Sequence, residues 1–431
     1  MNILVLQDHL RNGGTERQSI LLARAFAEAG HPTTLLTFRP GGALDFSPAP
    51  PRLRRAALQP FDTRLDWFAP GLRRAARRLA PDIVLCMGRM ANCRAATLQR
   101  ALPRATVITT MRTGKELPRA YIRSLHASRH TIANSREAAR ILADRHALPS
   151  EKITVIHNAI VFPPGGTGCL PAKVEAASCR LDGEAAGSKG TGILPLGSGG
   201  TGDSPVDGAP RRNIPARASS SSTPGFDTNA PASRPLILLC VAMFRPEKNH
   251  RALIELAARL PRPASPAALA ADTPAIGDAP GPAPDWQLWL AGDGPERAPC
   301  EALAVRLDLA GRVRFLGFQS DPTQLYQAAD IAILASTRES LPNFLVEAHA
   351  HGLPSVACAV GGVAECGGLA VPPGDADAFL AALLPLIRDP ARRARESARV
   401  AAHAREHFFP AVQTAAYLRL FERLLERRAA P

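Results

Sequence analysis

Glu339 and Glu347 stand on either side of Pro342 in the run Ser336-Thr337-Arg338-Glu339-Ser340-Leu341-Pro342-Asn343-Phe344-Leu345-Val346-Glu347-Ala348. An apolar, strand-like stretch ends near Ala335, so this run leads from a buried strand through a polar loop into a helix. Pro342 suits the first turn of that helix, where a missing N–H costs nothing. The N–H groups of Asn343, Phe344, Leu345 and Val346 then open the helix with a positive dipole behind them, a ready site for a phosphate or pyrophosphate. Glu347 lies early in the helix and Glu339 just outside it. The two carboxylates can therefore flank one bound group without sharing a helical face. Carboxylates accept hydrogen bonds from hydroxyls, which suits a sugar and a ribose. The run is followed closely by Val360-Gly361-Gly362-Val363-Ala364-Glu365.

Alternating strand and helix patterns must position these residues. Strands are expected at 2–8, 33–38, 82–86, 105–110, 132–135 and 153–156, with a helix from about Thr15 to Ala29 that Gly30 ends. A second series follows: strands at 236–241, 286–290, 312–316, 330–334 and 354–358, and helices at 249–260, 296–309, 322–329 and from Asn343 to Gly352. The chain closes with helical patterns at 376–407 and 411–428. Short apolar strands alternating with helices point to parallel sheets covered on both faces. The expected organisation is an N-terminal Rossmann-like domain (1–162), a linker (163–234) and a second Rossmann-like domain (235–410) interrupted by a Pro/Ala-rich insertion (262–284). A last helix (411–431) returns to the first domain. The linker is rich in Gly, Pro, Ser and Ala and reads as disordered. Its Gly-Thr-Gly triplets at 166–168, 190–192 and 200–202 have no strand leading in and no helix following. Two such folds make a cleft, and open parallel sheets bind ligands at the carboxyl ends of their strands.

Composition narrows the partners. The 431 residues carry a net charge of +14. Residues 1–162 hold 25 Lys/Arg against 11 Asp/Glu, so the whole excess lies in the first domain. Arg73-Arg74-Ala75-Ala76-Arg77-Arg78, near Trp67 and Phe68, suits an anionic membrane or a phosphorylated acceptor, or is simply a solvated arginine-rich helix. Aromatics are only 5% and no nucleic-acid motif is present, so nucleic acid is not an expected partner. The eight cysteines include no Cys-x-x-Cys pair and read as buried free thiols. The N-terminus reads as a first strand rather than a signal peptide, and no apolar run approaches membrane-spanning length. A cytoplasmic protein, peripheral at the inner face of the membrane, is the expectation.

The segment from Ser336 to Glu365 resembles the signature of the retaining family 4 glycosyltransferases, with Ser340 in a glycine position. The resemblance implies the α/β GT-B fold, two doubly wound Rossmann-like domains facing across a cleft. It also implies that Glu339 holds hydroxyls of a donor sugar, Glu347 the ribose of the nucleotide, and the N–H groups of Leu345 and Val346 the phosphates. Val241-Ala242-Met243-Phe244-Arg245-Pro246-Glu247-Lys248-Asn249-His250 is similar to another family segment. Lys248 matches its lysine, Met243 takes the arginine position, and Arg245 two residues on is expected to supply the charge. A positive pair is needed because a leaving nucleoside diphosphate gathers negative charge as the sugar bond breaks. Gly292 and Gly294 resemble the turn that lines the base pocket, with Gly317 and Phe318 nearby. Gly13 and Gly14 resemble the family's glycine loop, which lets the backbone approach a ligand closely. They do not form a dinucleotide fingerprint. Arg112 stands where many relatives have a histidine, and is the candidate for a donor-phosphate or acceptor contact. His126, His130 and His157 read as structural or surface residues. Asp375-Ala376-Asp377 reads as a helix cap, so no metal is implied. No lysine motif for a pyridoxal cofactor is present, and no cofactor is expected beyond the nucleotide-sugar substrate. The expected function is a metal-independent, hexosyltransferase-like glycosyltransferase that acts with retention on a saccharide or lipid-linked acceptor in cell-envelope or exopolysaccharide synthesis. The alternative is a non-catalytic GT-B-like protein that binds a nucleotide or a partner.

Overall fold

Apolar β-formers in β1 (Ile3–Gln7) alternate between two sheet faces, and both faces are covered. Ile3 and Val5 join a core that includes Leu22 and Phe26, while Leu4 and Leu6 join another that includes Phe38, Leu72 and Ala76. The structure, a computed structural model, describes residues 1–11, 13–44, 49–114, 116–162, 234–262 and 284–429. The expected linker up to residue 233, its Gly-Thr-Gly triplets, and residues 263–283 of the expected insertion lie outside the described residues.

The first domain continues through α1 (Gly14–Glu28), β2 (Thr33–Thr37), β3 (Leu53–Ala57), α2 (Leu72–Leu79), β4 (Ile83–Cys86), α3 (Arg89–Ala101), β5 (Thr106–Met111), α4 (Arg119–Ala127), β6 (His130–Ala133), α5 (Arg136–His146) and β7 (Ile153–Val155). Its parallel sheet has the order β3-β2-β1-β4-β5-β6-β7. The second domain contains β8 (Leu236–Val241), α6 (His250–Ala258), β9 (Trp286–Ala291), α7 (Arg297–Arg306), β10 (Val313–Gly317), α8 (Thr323–Ala328), β11 (Ile331–Leu334), α9 (Asn343–Ala350), β12 (Ser355–Cys358) and β13 (Leu369–Val371). Its parallel sheet runs β10-β9-β8-β11-β12-β13. In both sheets the strand order reverses beside the first strand, at β1/β4 and at β8/β11. The loops that leave those strands diverge there and open a crevice.

Two strands escaped the sequence pattern because both are edges. β3 carries Arg54 and Arg55 and is only partly buried, as edge strands often are, and β13 is three residues long. The single helical pattern expected over 376–407 is in fact two helices, α10 (Ala376–Arg388) and α11 (Pro390–Phe408). Asp389 is extended between them, and its carboxylate accepts from Arg392 N at 2.9 Å, so Asp389 and Pro390 start a new helix. Asp375 caps α10 by accepting from Ala378 N at 2.8 Å.

The final helix, α12 (Pro410–Ala429), packs on α1 of the first domain. Tyr417, Leu420 and Phe421 are buried there, with the rings of Phe421 and Tyr417 5.5 and 5.9 Å from that of Phe26. Truncating Phe421 to alanine should cost about 3–5 kcal/mol in urea unfolding. Arg423→Ala, on the exposed side of the same helix, should change it by less than about 0.5 kcal/mol.

Candidate active site

The crevice between the two switch points has a volume of about 810 Å³. Loops after β1, β4, β5, β6 and β7 supply its first-domain wall, and loops after β8 and β11 supply the opposite wall. This follows from the topology, since parallel strands place all their carboxyl ends on one side of each sheet.

Lys248 Nζ donates to Glu339 Oε1 at 2.5 Å, and the Glu339 side chain is only 8% exposed. Arg245 also lines the cleft, and its guanidinium forms no ion pair among the described residues. Gly13, Gly14, Arg112 and Asn343 line the cleft as well. At Gly14 the two domains come close: an added Cβ would lie 2.7 Å from Asn343 Nδ2, so only glycine fits without displacement. Pro342 stands at the N-cap of α9, one position before the first helical residue.

Five of the residues expected at the site do not line this cleft. Leu345 and Val346 are buried, and their N–H groups donate to Pro342 O at 3.1 and 3.4 Å within the first turn of α9. The groups left without an acceptor among the described residues are the N–H of Asn343 and Phe344, which do line the cleft. Gly292 and Gly294 form a tight turn with φ of 141° and 150°, and a Cβ on either would collide with Ala242 O or Phe244 O. Their packing against the loop after β8 already requires glycine. Glu347 Oε2 accepts from the Tyr326 hydroxyl at 2.6 Å. Burial pushes this carboxyl above the usual glutamate range, while the Tyr326 hydrogen bond and Arg17 act against the shift. Arg17, from the first domain, reaches across to donate to Ser320 O at 3.2 Å.

Arg112 is held by two partners. Its guanidinium donates to Asn158 Oδ1 and, at 2.5 Å, to the Tyr417 hydroxyl of α12. Asn158 Nδ2 in turn donates to Asn343 Oδ1 at 2.8 Å. A continuous chain of polar contacts thus runs from α12 through the first-domain wall to the start of α9. Sequence reasoning missed Asn158, although it follows directly on His157, which reads as a structural or surface residue. It also gave no role to Glu365 or to a pairing of His157. Both Glu365 oxygens accept from Arg136 N at 2.8 Å, and Oε2 bonds His157 Nε2 at 2.9 Å. A carboxylate of the second domain therefore caps α5 of the first. Nearby, Ser340 Oγ donates to Asn134 Oδ1 at 2.6 Å.

Beside the cleft, a chamber of about 420 Å³ is lined by Asp8, Glu16, Trp67 and Arg112 among others. Asp8 accepts from Met90 N at 2.9 Å and Ala91 N at 2.6 Å at the start of α3. Burial nevertheless pushes its pKa up to about 6, against the pull of those two N–H groups.

Two parallel Rossmann-like domains with a cleft between their strand ends define the GT-B class of glycosyltransferase folds. Both domains match glycosyltransferase families: residues 12–161 match "Glycosyltransferase Family 4" and residues 235–389 match "Glycosyl transferases group 1". The chain is 38% identical over 146 residues to the lipopolysaccharide core biosynthesis glycosyltransferase LpsD of Rhizobium meliloti, covering 33% of this chain and 43% of LpsD. It is 31% identical over 172 residues to LpsE, of the same name and organism, covering 39% and 44%. The chain therefore spans less than half the length of these curated relatives. A crystal structure of Anabaena HepE in complex with UDP superposes with a TM-score of 0.67 at 18% identity, over 98% of this chain and 100% of HepE. That likeness concerns the fold. Among the described residues no helix is long and apolar enough to cross a membrane.

The Glu365 contact yields a pH-dependent prediction. Burial acts to raise this carboxyl, but hydrogen bonds from His157 and from Arg136 N outweigh it and hold it below the ordinary glutamate value of 4.5. Its stabilisation is therefore fully present above about pH 4.5 and is lost as pH falls through the lowered folded value. Glu365→Gln should lower the unfolding free energy at pH 7 by about 1–3 kcal/mol. The gap between variant and parent should narrow below pH 4.5 in a series of denaturant titrations.

Proposed function

We propose that this chain transfers a hexose from a nucleotide-sugar donor to a saccharide or lipid-linked acceptor, with retention and without a metal, in the assembly of lipopolysaccharide or another surface polysaccharide. The observation that carries the reading is the pairing of Lys248 with Glu339 at the β8/β11 switch point, with Arg245 beside it and Asn343 at the helix start opposite Gly13 and Gly14. Lys248, Arg245 and the N–H groups of Asn343 and Phe344 would stabilise the charge that gathers on a departing diphosphate. Glu339, anchored by Lys248, would accept hydrogen bonds from the donor sugar and orient its ring. Glu347 would hold the ribose, exchanging its Tyr326 contact for hydroxyls of similar chemistry.

No carboxylate is assigned as a covalent nucleophile. Retention is read as a same-face displacement in which the leaving phosphate takes the proton of the acceptor hydroxyl. The names of LpsD and LpsE support surface-polysaccharide chemistry, and the UDP in HepE supports a nucleoside diphosphate leaving group. Peripheral association with the inner face of a membrane belongs to the same reading, because a lipid-linked acceptor would be met there.

Screening nucleotide-sugar donors by mass spectrometry, with mixed surface oligosaccharides as acceptors, tests the activity. Glu339→Gln should cut turnover at least about a hundredfold. Its thermal unfolding and its calorimetric binding of UDP should stay close to those of the parent. Turnover near the parent level would remove Glu339 from the mechanism. Nucleotide binding by the parent with no transfer from any donor would return the non-catalytic reading.

A further inference from the structure

The cleft accounts for little of the first domain's positive charge. A second concavity, of about 860 Å³, lies beside α2 and is lined by Arg73, Arg74, Arg77, Arg78, Arg94 and Phe68. Leu72 and Ala76 are buried in the core, which leaves Arg73, Arg74, Arg77 and Arg78 exposed on the outer side of α2. None of the five arginines forms an ion pair among the described residues. Exposed arginines such as Arg104, Arg119 and Arg129 also form no ion pair among the described residues, but only these five converge on one concavity among those described. Leaving five guanidinium groups unpaired in one concavity raises their mutual repulsion, so the site is built for an anion that arrives from outside.

Its position says which anion. Arg94 of α3 donates to Trp67 O at 2.7 Å and so ties down the loop that carries Trp67 and Phe68. These rings meet edge to face with centroids 6.1 Å apart, and they are 56% and 38% exposed. Exposed aromatic faces of this kind suit the C–H faces of sugar rings. Trp67 also lines the chamber that holds Asp8, and that chamber shares Thr15, Arg89, Arg112 and Thr113 with the cleft. Arginine groove, aromatic pair, chamber and cleft are therefore successive stations on one face of the first domain.

We propose that the arginine groove is an acceptor subsite for phosphate groups carried on a saccharide, whose sugar rings cross Trp67 and Phe68 on the way to the cleft. The proposal rests on reading the cleft as the site of transfer. Guanidinium forks bind phosphate oxygens two at a time, which a concave cluster of arginines exploits. A flat anionic membrane would need neither the concavity nor the path into the cleft.

The test uses the whole chain and a dye-labelled oligosaccharide bearing phosphate monoesters, before and after phosphatase treatment, read by fluorescence anisotropy. The parent should bind the phosphorylated form at least about tenfold more tightly. Arg74→Ala combined with Arg77→Ala should abolish that preference, while Arg74→Lys with Arg77→Lys should keep part of it and thereby control for misfolding. UDP binding, followed by calorimetry on the same samples, should be unchanged in both. Equal affinity for the two oligosaccharides, or an undiminished preference in the alanine pair, would overturn the proposal. So would arginine-dependent sedimentation with phosphatidylglycerol vesicles without any phosphate preference among the oligosaccharides, which would assign the groove to a membrane. Failure of the parent to bind UDP while it still discriminates phosphate would sink the reading of the cleft and leave the groove standing.

Discussion

A carboxylate from one domain completes a helix of the other, and the cleft takes its shape from that contact. The first turn of α5 leaves N–H groups unsatisfied unless something accepts them. Ser135 accepts from Ala138 N within the domain, and Glu365 accepts from Arg136 N across the interface. The same Glu365 bonds His157, and Gln413 at the start of α12 donates to His157 O at 2.7 Å. Three chain segments far apart in sequence thus meet at one partly buried edge. With this edge closed, the strand ends of the two sheets face each other, and Gly14 approaches Asn343 so closely that a side chain there would have to displace the Asn343 amide.

The polar walls are organised by the same logic. In parallel sheets the reversal of strand order leaves adjacent loops with no neighbour to pack on, so charged side chains can converge there, at a burial cost that pairing offsets. Lys248 and Glu339 converge from different loops and satisfy one another, while Arg245 stays unpaired at their side. Arg112 is braced by Asn158 and Tyr417, so its charge is positioned by α12, a helix that comes last in the chain. On the proposed reading, the return of α12 to the first domain also orients a residue of the reaction cleft.

The alternation of strands and helices, the turn glycines and the Glu339–Glu347 segment were legible because they depend on local rules. Apolar periodicity reports burial, and a proline followed by free N–H groups reports a helix start. Edge strand β3 was not legible, because Arg54 and Arg55 hide its pairing behind a polar composition. The break at Asp389 was missed because α10 and α11 are both helical and only the extended cap residue separates them. The pairing of His157 with Glu365 and the part played by Asn158 were not legible, because nothing local distinguishes a cap that is supplied from another domain.

By itself the sequence determined the two α/β units, the glutamate-bearing loop after β11, the lysine after β8 and the concentration of positive charge in the first domain. These follow from side-chain chemistry and from spacings of a few residues. Tertiary structure alone decided that Leu345 and Val346 turn their N–H groups onto Pro342 and that Gly292 and Gly294 serve a tight backbone crossing. It also decided that Glu365 and Asn158 join the two domains. Those outcomes depend on which groups from distant segments arrive within hydrogen-bonding distance. A carboxylate 229 residues from the helix it caps leaves no periodic trace in the chain.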